Sequence, residues 1–101
     1  MTWIDATAAG LPDETLVSVS SGTVTVAVAR VEGAWYAVDT WCTHDECPLS
    51  DGWVEGRAVR CACHGALFDL TTGVVLEGPA ESGLATYATR VEGDRVEVEL
   101  P

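Results

Sequence analysis

Trp41-Cys42-Thr43-His44-Asp45-Glu46-Cys47-Pro48-Leu49-Ser50-Asp51-Gly52, with Arg60-Cys61-Ala62-Cys63-His64-Gly65-Ala66-Leu67-Phe68 beyond it, is the stretch on which the reading of this chain turns. It holds both histidines and all four cysteines of the 101 residues. Taken as ligands, these give Cys42-x-His44 and, after residues 45–60, Cys61-x-x-His64. Gathering every soft and borderline ligand into two short segments points to a metal centre. A zinc site of two Cys and two His usually pairs like with like, Cys with Cys in one arm and His with His in the other. Here each arm is mixed, which suits a two-iron cluster with both thiolates on one iron and both imidazoles on the other. Zinc held by the same four residues in a non-redox structural domain is the alternative.

Around these segments the pattern is strand-like. Leu16 to Ser20 alternates, and Thr23 to Val31 alternates before a Glu32-Gly33 turn; Ala34 to Asp39 returns as the second arm of that hairpin. Trp53-Val54 and Ala58 to Arg60 flank Glu55-Gly56, Leu67 to Leu70 and Val74 to Leu76 flank Thr72-Gly73, and Leu84 to Val91 and Arg95 to Leu100 flank Glu92-Gly93-Asp94. Short β-branched runs with glycine at the turns indicate an all-β antiparallel sandwich or barrel. Pro12 to Leu16 is the one place where a helical turn fits. With no repeats or linkers, residues 1–101 read as one domain, its metal-binding part at about 41–68. Each ligand segment then follows a strand, which puts His44 and His64 at one tip.

The segments Cys42-Thr43-His44, Pro48 to Gly52, Cys61-Ala62-Cys63-His64-Gly65, Phe68-Asp69, Thr72-Gly73 and Gly78-Pro79-Ala80 resemble the Rieske family over most of the chain. The resemblance implies one [2Fe–2S] cluster held by Cys42, His44, Cys61 and His64, in a small subdomain covered partly by a third loop around Pro79. Two neutral ligands in place of two anionic ones make an added electron easier to hold, so the potential lies above that of all-cysteine clusters. His44 and His64 are the expected electron exit points, with Trp41, the Asp45-Glu46 pair and Pro79 as candidate docking residues. Thr43 and Leu49 are candidate cluster-lining residues. Trp3, Trp35 and Trp53 read as core or half-buried packing.

Cys47 and Cys63 hold positions that form a disulfide in high-potential Rieske proteins, and a bridge would rigidify the site. A reducing cytoplasm argues against one, and both states stay open on sequence. High-potential members also carry hydroxyl residues two and four places after the second-loop histidine. Here those places are Ala66 and Phe68, which implies a potential at the low end of the Rieske range.

Sixteen acidic residues oppose five arginines and no lysine, a formal charge of -11. Nucleic acid is therefore excluded as a partner; the acidic surface suits either fast, salt-sensitive encounters with a basic protein or solubility alone, and composition does not choose between them. No apolar run reaches the length of a membrane span, and Met1 to Pro12 lacks the basic start of a signal peptide; a cytoplasmic location is expected. Ring-hydroxylating oxygenases need a further iron bound by two His and a carboxylate, and this sequence has no histidine left for it. It is thus not the oxygenase; the family resemblance implies instead a non-enzymatic ferredoxin of a bacterial aromatic-ring dioxygenase system, of carbazole type on overall resemblance. Its transient partners would be an NAD(P)H-dependent flavoprotein reductase and a terminal Rieske oxygenase. A Rieske-like small subunit of a larger enzyme such as nitrite reductase is a further alternative.

Overall fold

The computed structural model describes residues 2–41, 47–63, 65–78 and 82–101. Eleven strands are present among them: β1 (Thr2–Ala8), β2 (Leu16–Ser21), β3 (Val24–Val31), β4 (Ala34–Asp39), β5 (Trp53–Glu55), β6 (Ala58–Arg60), β7 (Leu67–Asp69), β8 (Val75–Glu77), β9 (Thr86–Tyr87), β10 (Thr89–Glu92) and β11 (Arg95–Leu100). They form three antiparallel sheets, ordered β1-β11-β10, β2-β3-β4-β9 and β5-β6-β7-β8. No α-helix occurs among the described residues; Leu49–Asp51 makes a short 3₁₀ turn that the sequence did not announce. Pro12 to Leu16 holds a hydrogen-bonded turn, Thr15 N donating to Pro12 O at 3.3 Å, rather than a helical one.

The chain is organised by β3. Its alternation of Val and Ala reads as a half-buried strand, yet both of its faces are covered. Val26 and Val28 pack with Val19, Trp35, Val96, Val98 and Leu100 in one core. Ala27, Ala29 and Val31 point the other way, into a second core with Leu49, Val54, Val59, Phe68 and Leu70. The side-chain period of a strand assigns the two sets to opposite faces. Ala27 and Ala29 share this core with residues of the β5–β8 sheet, and Phe68, fully buried there, contributes about 2–3 kcal/mol of burial.

The β5–β8 sheet is an excursion from the β2-β3-β4-β9 sheet. It leaves after β4 and returns at β9, which pairs with β4 through Ala37–Tyr87 and Val38–Thr86. Asp39 N donates to Ala85 O at 3.0 Å and closes the neck. The excursion therefore runs past Phe68, because β8 and the return segment belong to the same unit.

One strand went unread. Thr2–Ala8 shows no clean alternation, and its register with β11 shifts between Asp5 and Thr7. Its partner is the far end of the chain, Thr2 opposite Leu100. The run from Leu84 to Val91 is also two strands, β9 and β10, which join different sheets on either side of Ala88.

Candidate metal centre

Both ligand segments follow strands, as the sequence pattern implies. The first leaves β4, and its base is pinned by Leu49 N donating to Thr40 O at 2.5 Å and by a β-bridge between Trp41 and Pro48. The second spans the gap between β6 and β7. Cys61 N donates to Ala66 O at 2.8 Å, and Gly65 N donates to Cys61 O at 3.0 Å, so the backbone closes on itself at once. Cys42, His44, Asp45, Glu46, His64 and Pro79 lie outside the described residues, as does Thr43.

Cys61 begins the second loop with its side chain buried, 1% exposed, and its thiol free. Cys47, at the end of the first segment, and Cys63, in the second, are joined as a disulfide with Cα atoms 6.3 Å apart. The sulfur atoms of Cys47, Cys61 and Cys63 all lie within 4.8 Å of one another. The two loops are thereby gathered at one end of the excursion, around a thiol that can bind as thiolate. Ala66 and Phe68, the places where a hydroxyl is missing, are both fully buried beside this loop. Cys61 lies in the apolar core with Leu49, Ala66 and Phe68, and positions 66 and 68 offer no side-chain hydrogen bond to sulfur. Among the described residues, Cys61 offers one free, buried sulfur for a sulfur-bridged cluster, beside the Cys47–Cys63 bridge, of which Cys63 is exposed.

The glycine closing Pro48-Leu49-Ser50-Asp51-Gly52 has a steric explanation. A Cβ on Gly52 would lie 1.9 Å from the backbone oxygen of Arg60. Only glycine lets the end of the first segment cross the strand that delivers Cys61. The third loop is anchored on both described sides. Leu84 is buried and donates its N–H to Gly73 O at 2.7 Å, and Glu77 reaches Arg60 at 3.4 Å.

Arg60 escaped the sequence reading. A lone arginine in a short strand looks like a solvated position, and its partners come from other strands. Its Nε donates to Glu55 Oε2 at 2.6 Å, one terminal nitrogen to Glu55 Oε1 at 3.1 Å, and the other to Gly65 O at 2.7 Å. Glu55 also accepts from Trp53 Nε1 at 2.6 Å. Its carboxyl is held below the usual range, first by the Arg60 hydrogen bonds and then by Trp53. Trp53 is accordingly not core packing: it is 49% exposed, lying on the outer face of β5. Trp35 is buried as expected, and Trp3 is partly exposed, with the Arg90 guanidinium 4.2 Å from its ring centre. Trp41 is 50% exposed beside the first ligand segment, and Leu49 is fully buried beneath it.

Comparison with known proteins accords with this architecture. Residues 2–88 match the model of the Rieske [2Fe-2S] domain, and the chain belongs to that family. Among individual relatives, it is 38% identical over 99 residues to the ferredoxin component of the naphthalene 1,2-dioxygenase system of Pseudomonas aeruginosa, covering 97% of this chain and 95% of the relative. A chain in the complex of reduced oxygenase and oxidized ferredoxin of carbazole 1,9a-dioxygenase superimposes with a TM-score of 0.91 at 31% identity, covering 95% of this chain and 91% of that one. The ferredoxin of Sphingomonas yanoikuyae B1 gives a TM-score of 0.89 at 27% identity, with 99% and 100% coverage.

Proposed function

We propose that this chain is a one-electron carrier, a Rieske ferredoxin serving an aromatic-ring dioxygenase system. It takes electrons from an NAD(P)H-dependent flavoprotein reductase and passes them to the terminal oxygenase. The observation that carries this reading is the end-to-end match to a naphthalene dioxygenase ferredoxin component, with 95% of the relative's length covered. In this proposal residues 1–101 form one domain, and Cys42, His44, Cys61 and His64 hold the cluster. When bound, a [2Fe–2S] cluster with mixed thiolate and imidazole ligands supplies one reversible electron at a potential above that of all-cysteine clusters.

The protein's own part is to hold that centre dry at one tip and to bring the tip to a partner. Leu49, Ala66 and Phe68 exclude water beneath it, and the Cys47–Cys63 bridge ties the two loops. Each of the five arginines faces a carboxylate: Arg30 with Asp13, Arg57 with Glu32, Arg60 with Glu55, Arg90 with Glu97 and Arg95 with Asp5, all within 3.5 Å. The cations are thus spent internally, and the remaining carboxylates set an acidic outer field that steers the chain to basic surfaces. Trp41, His44, Asp45, Glu46, His64 and Pro79 form the docking and exit tip in this reading, with Trp41 as its aromatic anchor. No helix among the described residues is long and apolar enough to cross a membrane. The proposed location is the cytoplasm, where the pyridine nucleotide is available.

Reconstitution tests the proposal. NADH, the reductase and terminal oxygenase of a naphthalene dioxygenase system and this protein are mixed with naphthalene. Oxygenated product should depend on this protein, and its rate should fall as salt is raised from low to physiological strength. Trp41→Ala should slow transfer with the potential unchanged. No reduction by such a reductase and no product would contradict the assignment.

A further inference from the structure

We infer that Arg60 is a positioning residue that locks the second ligand loop and sets the electrostatic environment of its centre. The inference rests on the ligand reading proposed above, in which Cys61 and His64 bind the cluster. Arg60 directly precedes Cys61, and its guanidinium donates to the carbonyl oxygen of Gly65, the residue after His64. One side chain therefore grips both ends of the four-residue ligand segment: covalently at Cys61, by a 2.7 Å hydrogen bond beyond His64.

The grip is itself held. The outer face of the sheet carries Trp53, Arg60, Leu67 and Glu77 as one cross-strand row. Glu55 receives two nitrogens of the guanidinium, at 2.6 and 3.1 Å, while Trp53 fixes the same carboxylate at 2.6 Å. Glu77, the last residue of β8, approaches at 3.4 Å and ties in the start of the third loop. The arginine side chain is 21% exposed, the least of the five, with Arg30 at 26% and Arg57, Arg90 and Arg95 at 41 to 64%. A planar, charged fork with three converging acceptors is a geometry that lysine cannot reproduce. Outer-shell partners of this kind orient ligands and typically change metal affinity by about 10–100-fold when removed.

Charge and geometry separate in the test. Arg60→Gln, Arg60→Lys and Glu55→Gln are purified with cluster. Three quantities are compared with wild type: the rate at which an iron chelator bleaches the visible absorbance, the midpoint potential and the EPR g values. Arg60→Gln should bleach about 10-fold faster or more, and its potential should fall because Glu55 and Glu77 lose their counter-charge. Arg60→Lys should recover the potential but not the slow bleaching. Glu55→Gln should also bleach faster, yet its potential should rise. General destabilisation of the fold would not reverse the sign of the potential between two variants that both bleach faster.

Wild-type bleaching and potential in Arg60→Gln would overturn the inference. So would potentials shifting in the same direction in Arg60→Gln and Glu55→Gln. If Arg60→Gln does not fold, Arg60→Lys and Glu55→Gln decide: wild-type bleaching in both overturns the clamp. A wild-type protein without the EPR signature of a His-coordinated cluster would instead defeat the ligand reading on which the inference rests.

Discussion

Replacing Gly73 by alanine should damage this protein far more than replacing Gly56 by alanine, although both residues have positive φ, 79° and 62°. At Gly56 nothing lies within 4 Å of the added Cβ. The cost there is the left-handed conformation alone, about 1–2 kcal/mol. At Gly73 the Cβ would sit 2.1 Å from the backbone oxygen of Leu84, more than ~1 Å inside ordinary contact. The oxygen belongs to the segment that returns from the third loop to β9, so the return strand must move away. That movement breaks the bond from Leu84 N to Gly73 O, 2.7 Å long, worth about 1 kcal/mol. It also re-exposes part of the Leu84 side chain, now 7% exposed, at a further cost of roughly 1 kcal/mol. Gly73→Ala should therefore lose about 3–4 kcal/mol, and Gly56→Ala about half of that or less. Urea unfolding of both variants, followed by far-ultraviolet circular dichroism and tryptophan fluorescence, gives the two losses at a common m value. Equal losses at the two glycines would refute the close approach of Gly73 to the return segment.

Other consequences can be checked separately. Tyr87 donates to Asp39 at 2.7 Å, and its phenol is pushed up to about 12, chiefly by burial and then by that carboxylate. Because the folded value is raised, the stability it lends is complete below about pH 10 and is lost as pH rises through about 12; absorbance titration at 295 nm should show one tyrosine ionising that late, and Tyr87→Phe should remove it. Thiol counting on protein denatured without reductant and stripped of iron should give two, Cys42 and Cys61, rising to four after reduction. Four at the outset would mean that the Cys47–Cys63 bridge is not made. That bridge spans a sequence separation of 16, so reducing it should cost about 3 kcal/mol. Ala66→Ser places a hydroxyl in the dry shell beside Cys61 and should raise the reduction potential, whereas a potential unchanged from wild type would show that this position does not face the cluster.

Much of this molecule was legible because its signals are local. The hairpin of Thr23 to Asp39 announces itself by β-branched alternation and a two-residue turn, and Val31 pairs with Ala34 across Glu32-Gly33. The Cys- and His-bearing segments stand out because both residue types are scarce, and the Cys47–Cys63 bridge joins the two segments. What escaped depends on residues far apart in sequence. β1 forms through β11 at the far end of the chain, with Thr2 opposite Leu100 and Ala8 opposite Arg95, and its sequence, Thr2–Ala8, carries no alternation of its own. The covering of the second face of β3 depends on where the β5–β8 excursion folds back, which no periodicity of β3 encodes. The link between Arg60 and Trp53 is hidden in the sequence for the same reason. Their roles arise from a row across strands, with Glu55 five residues and Glu77 seventeen residues from Arg60, and a single arginine or tryptophan gives no hint of that row.

A His-coordinated [2Fe–2S] centre with Ala66 and Phe68 in place of hydroxyl residues should show itself in an EPR-monitored reductive titration of the purified, coloured protein. The expected result is a rhombic signal with the low average g of mixed thiolate and imidazole ligation, appearing near the bottom of the Rieske range at about −150 mV. The same signal at a clearly positive potential would contradict the electrostatic role assigned to Ala66 and Phe68. No paramagnetic signal, with stoichiometric zinc in place of iron, would contradict the electron carrier itself.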